Sequence, residues 1–179
     1  MKVAGNGKSI TLNEYQRALL KEHLPHKYKV LFDICYYTAG RISEVLSIRW
    51  IDIVDNVIVL RKTNTKTKET REIAIPPYLV EEINKLSNEG AYIFTGRNGQ
   101  GHLTRQAAHL ALTNACKECG LENHFSTHGW RRTAISSLHR NNVPIKTICA
   151  ISGHKSLSAL QGYIDISDEE VVAALQTRW

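Results

Sequence analysis

No apolar run in this 179-residue sequence approaches the ~20 residues that cross a bilayer, so a membrane-spanning helix is not expected. The opening stretch from Met1 to Gln16 also lacks the apolar core of a secretory signal. Cysteine is scarce. Cys35, Cys116, Cys119 and Cys149 show no framework spacing, which argues against a disulfide scaffold and suits a soluble protein of a reducing cytosol. Glycine and proline recur without a period, so collagen is excluded, and no repeat or low-complexity segment appears. The most informative absence is of carboxylates: from Asn123 to Ile164 there is none.

That acid-free stretch carries Arg131, Arg132, Arg140, Lys146 and Lys155, with His124, His128, His139 and His154. The sign reverses in the tail, where Asp165, Asp168, Glu169 and Glu170 face only Arg178. A second basic cluster, Arg61, Lys62, Lys66, Lys68 and Arg71, is opposed by Glu69. The net charge of +6 (23 Lys and Arg against 17 Asp and Glu) understates this local concentration. A lone cluster reads as a solvated face, but two clusters with a long acid-free run point to a polyanion such as nucleic acid. At 42% hydrophobic and 22% charged, the chain is apolar enough for one globular domain with a full core.

Local patterns give the elements. Residues 1–10 read as a loose arm and 11–179 as the domain. Thr11 with Glu14 reads as a capping box opening a helix over 12–22, its apolar side Tyr15, Ala18, Leu19 and Leu20. A second helix runs through Val30, Leu31, Ile34, Cys35 and Tyr36 and stops at Gly40; Ser43 then caps a short third. Alternating β-branched residues make strands of IDIV, VIVLRK and REIAIP, joined by an Asp55-Asn56 turn and a long polar hairpin tip. Tyr92-Ile93-Phe94 reads as a short strand or extended segment. Helices follow after Pro76-Pro77, after a Thr104 cap as far as Gly120, and over about 130–141, 145–151 and 156–163. A Ser167–Glu170 box would start a last helix with Val171, Val172 and Leu175 on its apolar side.

Three segments carry chemistry together. In Ala39-Gly40-Arg41-Ile42-Ser43-Glu44 an arginine stands at the mouth of a helix. In His128-Gly129-Trp130-Arg131 a histidine and an arginine lie three apart, one helical turn. Ser152-Gly153-His154 precedes Tyr163 by nine residues. Singly, each has a plainer reading: a cap, a structural histidine, a half-buried aromatic. In this order the sequence resembles the tyrosine recombinase (phage integrase) family over nearly its whole length. The resemblance implies an α+β, mainly helical catalytic domain with a small antiparallel sheet, the DNA breaking-rejoining enzyme fold.

It further implies that Tyr163 attacks a DNA phosphodiester, leaving a 3′-phosphotyrosine and a free 5′-hydroxyl. Arg41 and Arg131 would hold the scissile phosphate, His128 would take the tyrosine proton, and His154 would donate a hydrogen bond to the phosphate. Lys66, on the hairpin, would protonate the leaving oxygen; Lys68 and Lys62 compete for that role, Lys66 being placed to extend the strand. Glu44 would orient Arg41 or cap the structure. The covalent link conserves the bond, so no cofactor is required. The implied partners are duplex DNA and further copies of the chain, a dimer per site and a tetramer in a synapse, docked through the C-terminal helix, with an accessory DNA-binding protein as an option. The alternatives are a type IB topoisomerase-like relaxing enzyme and a non-cutting DNA-binding regulator.

Departures from the family pattern shape two expectations. The motifs begin so near Met1 that no N-terminal core-binding domain is expected, as in single-domain recombinases of the fimbrial phase-switch type. Trp130 stands where a smaller aliphatic residue is usual and Arg132 where histidine often follows, at a packing and a phosphate-side position respectively. Cys116 and Cys119 form C-x-x-C ahead of His124 and His128, but both cysteines fall in an apolar helical pattern and no metal site is expected.

Overall fold

The computed structural model describes residues 10–63, 69–87, 89–121, 125–164, 171–172 and 175–176, and the statements below refer to these. Eight helices and a three-stranded sheet occur among them: α1 (Glu14–Glu22), α2 (His26–Thr38), α3 (Ile42–Leu46), β1 (Ile53–Val54), β2 (Val57–Leu60), β3 (Arg71–Ala74), α4 (Pro77–Asn84), α5 (Arg105–Glu118), α6 (Thr127–Arg140), α7 (Ile145–Ser152) and α8 (Leu157–Gln161). This is the mainly helical α+β architecture the motifs imply. The sheet is antiparallel in the order β1-β2-β3, with Ile58 opposite Ile73 and Leu60 opposite Arg71. Tyr92 makes only an isolated bridge with Arg49, so that segment is extended chain. No described helix is long and apolar enough to cross a membrane.

Several helix starts differ from the local signals. Asn13, not Thr11, caps α1 in a box with Gln16. The reason is tertiary: Leu12 is buried and its N–H donates to Thr133 Oγ1 on α6 (3.1 Å), which anchors the chain before the helix begins. Leu20 then sets the inward face, and Tyr15, five residues and about 140° around the helix from it, is 75% exposed. At the end of α2 the left-handed residue is Ala39 (φ 46°), not Gly40. Gly40 serves space instead, since a Cβ there would lie 2.8 Å from Thr38 Oγ1 and 3.0 Å from Val45. The N-cap of α3 is Arg41 rather than Ser43, and His128 lies inside the first turn of α6 rather than in the loop before it.

Helix α6 is the central member. Every residue from Gly129 to Ser136 is buried. On one side Trp130 stacks on Phe32 of α2, ring centroids 5.3 Å apart, and meets Phe125 edge-on. Such pairs add ~0.5–1.5 kcal/mol to area burial and account for a bulky residue at this packing position. On the other side Ala134 and Ile135 join Ala39, Ile148 and Leu160 in a second apolar cluster, against which Tyr163 packs. One helix therefore touches both cores and fixes what projects between them.

Candidate active site

Four of the six residues singled out for chemistry converge where α6 passes the turn after α8. The Tyr163 hydroxyl lies 3.0 Å from His128 Nε2 and donates to it when that nitrogen is unprotonated. The Tyr163 ring is 4.7 Å from the His154 ring and 5.7 Å from the Arg131 guanidinium. Arg131 is buried; it donates through Nη1 to Ala39 O and through Nη2 to His154 Nε2 (3.1 Å). Arg41, partly exposed at the mouth of α3, is close enough that its charge acts on His128, Arg131 and His154. The sixth residue, Lys66, lies with its competitor Lys68 outside the described residues, as does the Ser167–Glu170 box.

The tautomer of His154 follows from its neighbours. Ser152 Oγ donates its single hydrogen to Ile148 O (2.6 Å) and sits 2.7 Å from His154 Nδ1. That nitrogen must therefore be the donor, which leaves Nε2 to accept from Arg131. Burial, then the charges of Arg131, Arg41 and Arg71, bring the His154 pKa down to about 4, so the ring is neutral. His128 moves the same way, through partial desolvation and then Arg131, Arg132 and Arg41. Burial and the charge of Arg41 lower Arg131 to about 10, still well above neutrality. The site is thus a cluster of permanent cations that keeps its two histidines neutral.

Two buried groups hold that cluster. Glu44 accepts from the Arg41 backbone N–H (3.1 Å), from Arg41 Nη1 (2.7 Å) and from Arg71 Nη2 (2.6 Å). The expected alternatives for Glu44, orienting Arg41 or capping, are both realised. Arg71 also donates to Ile151 O (2.7 Å), one of the carbonyls that the end of α7 leaves without a partner. Its guanidinium lies against Gly153, where a Cβ would come within 2.8 Å of Nη1. One arginine of the sheet thus braces both the Arg41 turn and the Gly153-His154 turn. Arg71 belongs to the second basic cluster of the sequence, yet it is buried; the β3 alternation, which turns Arg71 inward with Ile73, carries the signal. Arg61 of the same cluster pairs with buried Asp52. Arg132 is likewise buried and donates to Gly162 O (2.8 Å).

Cys116 is buried, with desolvation raising its thiol to about 11, and Cys119 Sγ donates to Leu19 O. Among the described residues no group of three or more Cys, His, Asp or Glu is arranged to hold a metal.

Comparison with known proteins gives a family match and a fold match. Residues 8–170 match the phage integrase family. The chain is 26% identical over 151 residues to a tyrosine recombinase of Thermosipho africanus, covering 84% of this chain and 53% of that protein. It is 28% identical over 174 residues to the tyrosine recombinase XerC of Rickettsia bellii, covering 94% of this chain and 57% of the relative. The chain spans little more than half the length of these relatives. Its fold superposes on the crystal structure of XerA recombinase with a TM-score of 0.81 at 18% identity, covering 96% of this chain and 65% of that one. It matches XerH recombinase, in a post-cleavage complex with a palindromic difH substrate, with a TM-score of 0.78 at 17% identity, covering 98% and 54%.

Proposed function

The chain belongs to the phage integrase family, and on that premise we propose that it is a site-specific DNA recombinase that cuts and rejoins duplex DNA through Tyr163. The observation that carries the reading is the Tyr163 hydroxyl at 3.0 Å from a neutral His128 Nε2, inside a cluster of fixed guanidinium groups. A phenol is a weak nucleophile near neutrality because its pKa is ~10, so it requires a proton acceptor and an electrophile made more positive. His128 Nε2 is the acceptor. Arg41 and Arg131 bind the scissile phosphate, the guanidinium fork matching a pair of its oxygens, and stabilise the five-coordinate state where negative charge is greatest.

The step balances without a co-reactant. The Tyr163 oxygen forms a bond to phosphorus, the bond from phosphorus to the 5′-oxygen breaks, and the tyrosine proton passes to His128. Lys66 protonates the departing 5′-oxygen. Rejoining reverses each transfer. His154 accepts from Arg131 in the free protein; an incoming phosphate favours its protonated form, which then donates through Nε2.

The solved relatives include recombinase–DNA complexes, one with a lambda integrase dimer on a core site, which supports duplex DNA as the substrate and assembly on it. Val171, Val172 and Leu175 are each about half exposed, which supports docking of the C-terminal segment on a second copy. We place the chain in the cytoplasm, where a mobile element's recombinase meets DNA.

The test is covalent capture. Nicked suicide duplexes with a randomised core are incubated with the protein in EDTA, and captured sequences define the site. A protein–DNA adduct is expected from the wild type and not from Tyr163→Phe, which still binds the site. Salt-dependent binding with no adduct from any sequence would overturn cleavage in favour of a non-cutting regulator. Adduct formation with relaxation of supercoiled DNA but no strand exchange between sites would favour the topoisomerase-like reading.

A further inference from the structure

We propose that Arg132 and Ser136 of α6 form a clip that seats Tyr163 on His128 within a single protomer, with Arg132 as a positioning residue for the nucleophile; this rests on Tyr163 being that nucleophile. Tyr163 is not part of a regular element. It follows α8, a helix of five residues whose last carbonyls are taken by tight turns, Tyr163 N–H to Leu160 O (2.8 Å) and Ile164 N–H to Gln161 O (3.2 Å), leaving the carbonyls of Gly162 and Tyr163 beyond it. A helix so short is marginal by itself, so the position of the next residues is set by whatever takes those carbonyls. Arg132 Nη1 donates to Gly162 O (2.8 Å) and Ser136 Oγ to Tyr163 O (3.1 Å). The guanidinium of Arg132 also lies 6.0 Å from the centre of the Tyr163 ring.

The four donors and acceptors share one helix. His128, Arg131, Arg132 and Ser136 follow at spacings of three, one and four, which puts them on one side of α6. The same rigid element that presents the proton acceptor and a phosphate-binding arginine therefore also grips the backbone of the tyrosine. The hydroxyl-to-Nε2 distance is thereby referenced to one helix rather than to the junction of several. Burying a guanidinium is costly, and the donor it presents to Gly162 O bears directly on the backbone of the tyrosine. A side chain without that donor would fill the same space and lose this grip on the backbone.

That difference supplies the test. Arg132→Met keeps the buried stem and removes the donors, so the fold is expected to stay intact at the assay temperature with a somewhat lowered denaturation midpoint, because Gly162 O loses its donor. Its single-turnover adduct formation at saturating DNA is expected to fall by roughly ten- to a hundredfold, the scale of a misplacement near 1 Å. Affinity for the duplex should stay within about twofold of wild type, because the phosphate-binding groups remain. Arg132→Lys, which can still donate to Gly162 O, is expected to recover part of the rate, and Ser136→Ala to lose less than Arg132→Met. A direct readout uses protein carrying 3-fluorotyrosine at position 163. Its fluorine resonance should shift and change width in Arg132→Met, and return toward wild type in Arg132→Lys. An unchanged resonance and an unchanged rate in Arg132→Met would overturn the clip, as would equal loss in the Lys and Met variants. The fluorine measurement is made without DNA. It therefore stands if the wild type forms no adduct, a result that would count against recombination and not against the clip.

Discussion

His128 and His154 show how one kind of residue acquires a defined protonation state from its neighbours. Both have their pKa lowered, by burial first and by surrounding arginines second. A neutral His128 can accept the tyrosine proton and a protonated one cannot. Single-turnover cleavage is therefore expected to be flat from pH 8 to about 6.5, the ordinary histidine value, and to decline only below it. Stability follows the same sign. The unfolded chain binds a proton at His154 near pH 6.5 and the folded chain only near 4. The stabilisation tied to the neutral ring is complete above about 6.5, falls as pH drops through that window, and is gone below the folded value. Urea midpoints measured from pH 7.5 to 4.5 should decline, and His154→Gln should flatten the decline. These properties were invisible in the motifs, which named the histidines, the serine and two of the arginines but not the contacts among them.

At the scale of elements, the site is held by turns that bring helix ends and strand together. Gly153 ends α7 in the left-handed region (φ 68°) and packs against the Arg71 guanidinium. Arg71 cannot simply swing away, because Glu44 and Ile151 O hold it. Gly153→Ala combines a left-handed alanine with a displaced buried cation. It is expected to cost about 1–3 kcal/mol in urea unfolding and to slow adduct formation through His154. Parallel losses would follow from the coupling of this turn, through Arg71 and Glu44, to Arg41. The helices and strands themselves were legible from period and caps, because those signals are local. Where the caps went astray, at Thr11 and Gly40 a long-range contact had displaced the local choice, Leu12 to Thr133 and Ala39 to Arg131, and at Ser43 a neighbouring box did, the Arg41 N–H donating to Glu44.

For the whole molecule, the question is how much of the activity one protomer holds. Tyr163, His128 and Arg131 already lie together in a single chain. The apolar residues Val171, Val172 and Leu175 nevertheless remain exposed. Truncation after Ser167 is therefore expected to leave binding to a half-site nearly unchanged and to reduce the cooperative step from one bound copy to two, with slower cleavage of full sites. Gel-shift titration on half and full sites checks this. Unaltered cooperativity and cleavage would sink docking through the tail.

The sequence by itself determined the residue set, its order and the helical frame. Motif spacing and hydrophobic period are properties of neighbours along the chain, and the acid-free run from Asn123 to Ile164 holds His128, Arg131, His154 and Tyr163, which the fold brings together. It could not say which positive charges face a phosphate and which are structural. That was decided by the tertiary structure, because a guanidinium takes its role from the acceptor it meets. Arg71 meets Glu44 across 27 residues of chain, Arg131 meets Ala39 across 92, and Arg132 meets Gly162 across 30. Among the arginines of one basic pattern, burial and those distant acceptors separated the residue that braces the site, the one that faces the tyrosine and the one that holds its backbone.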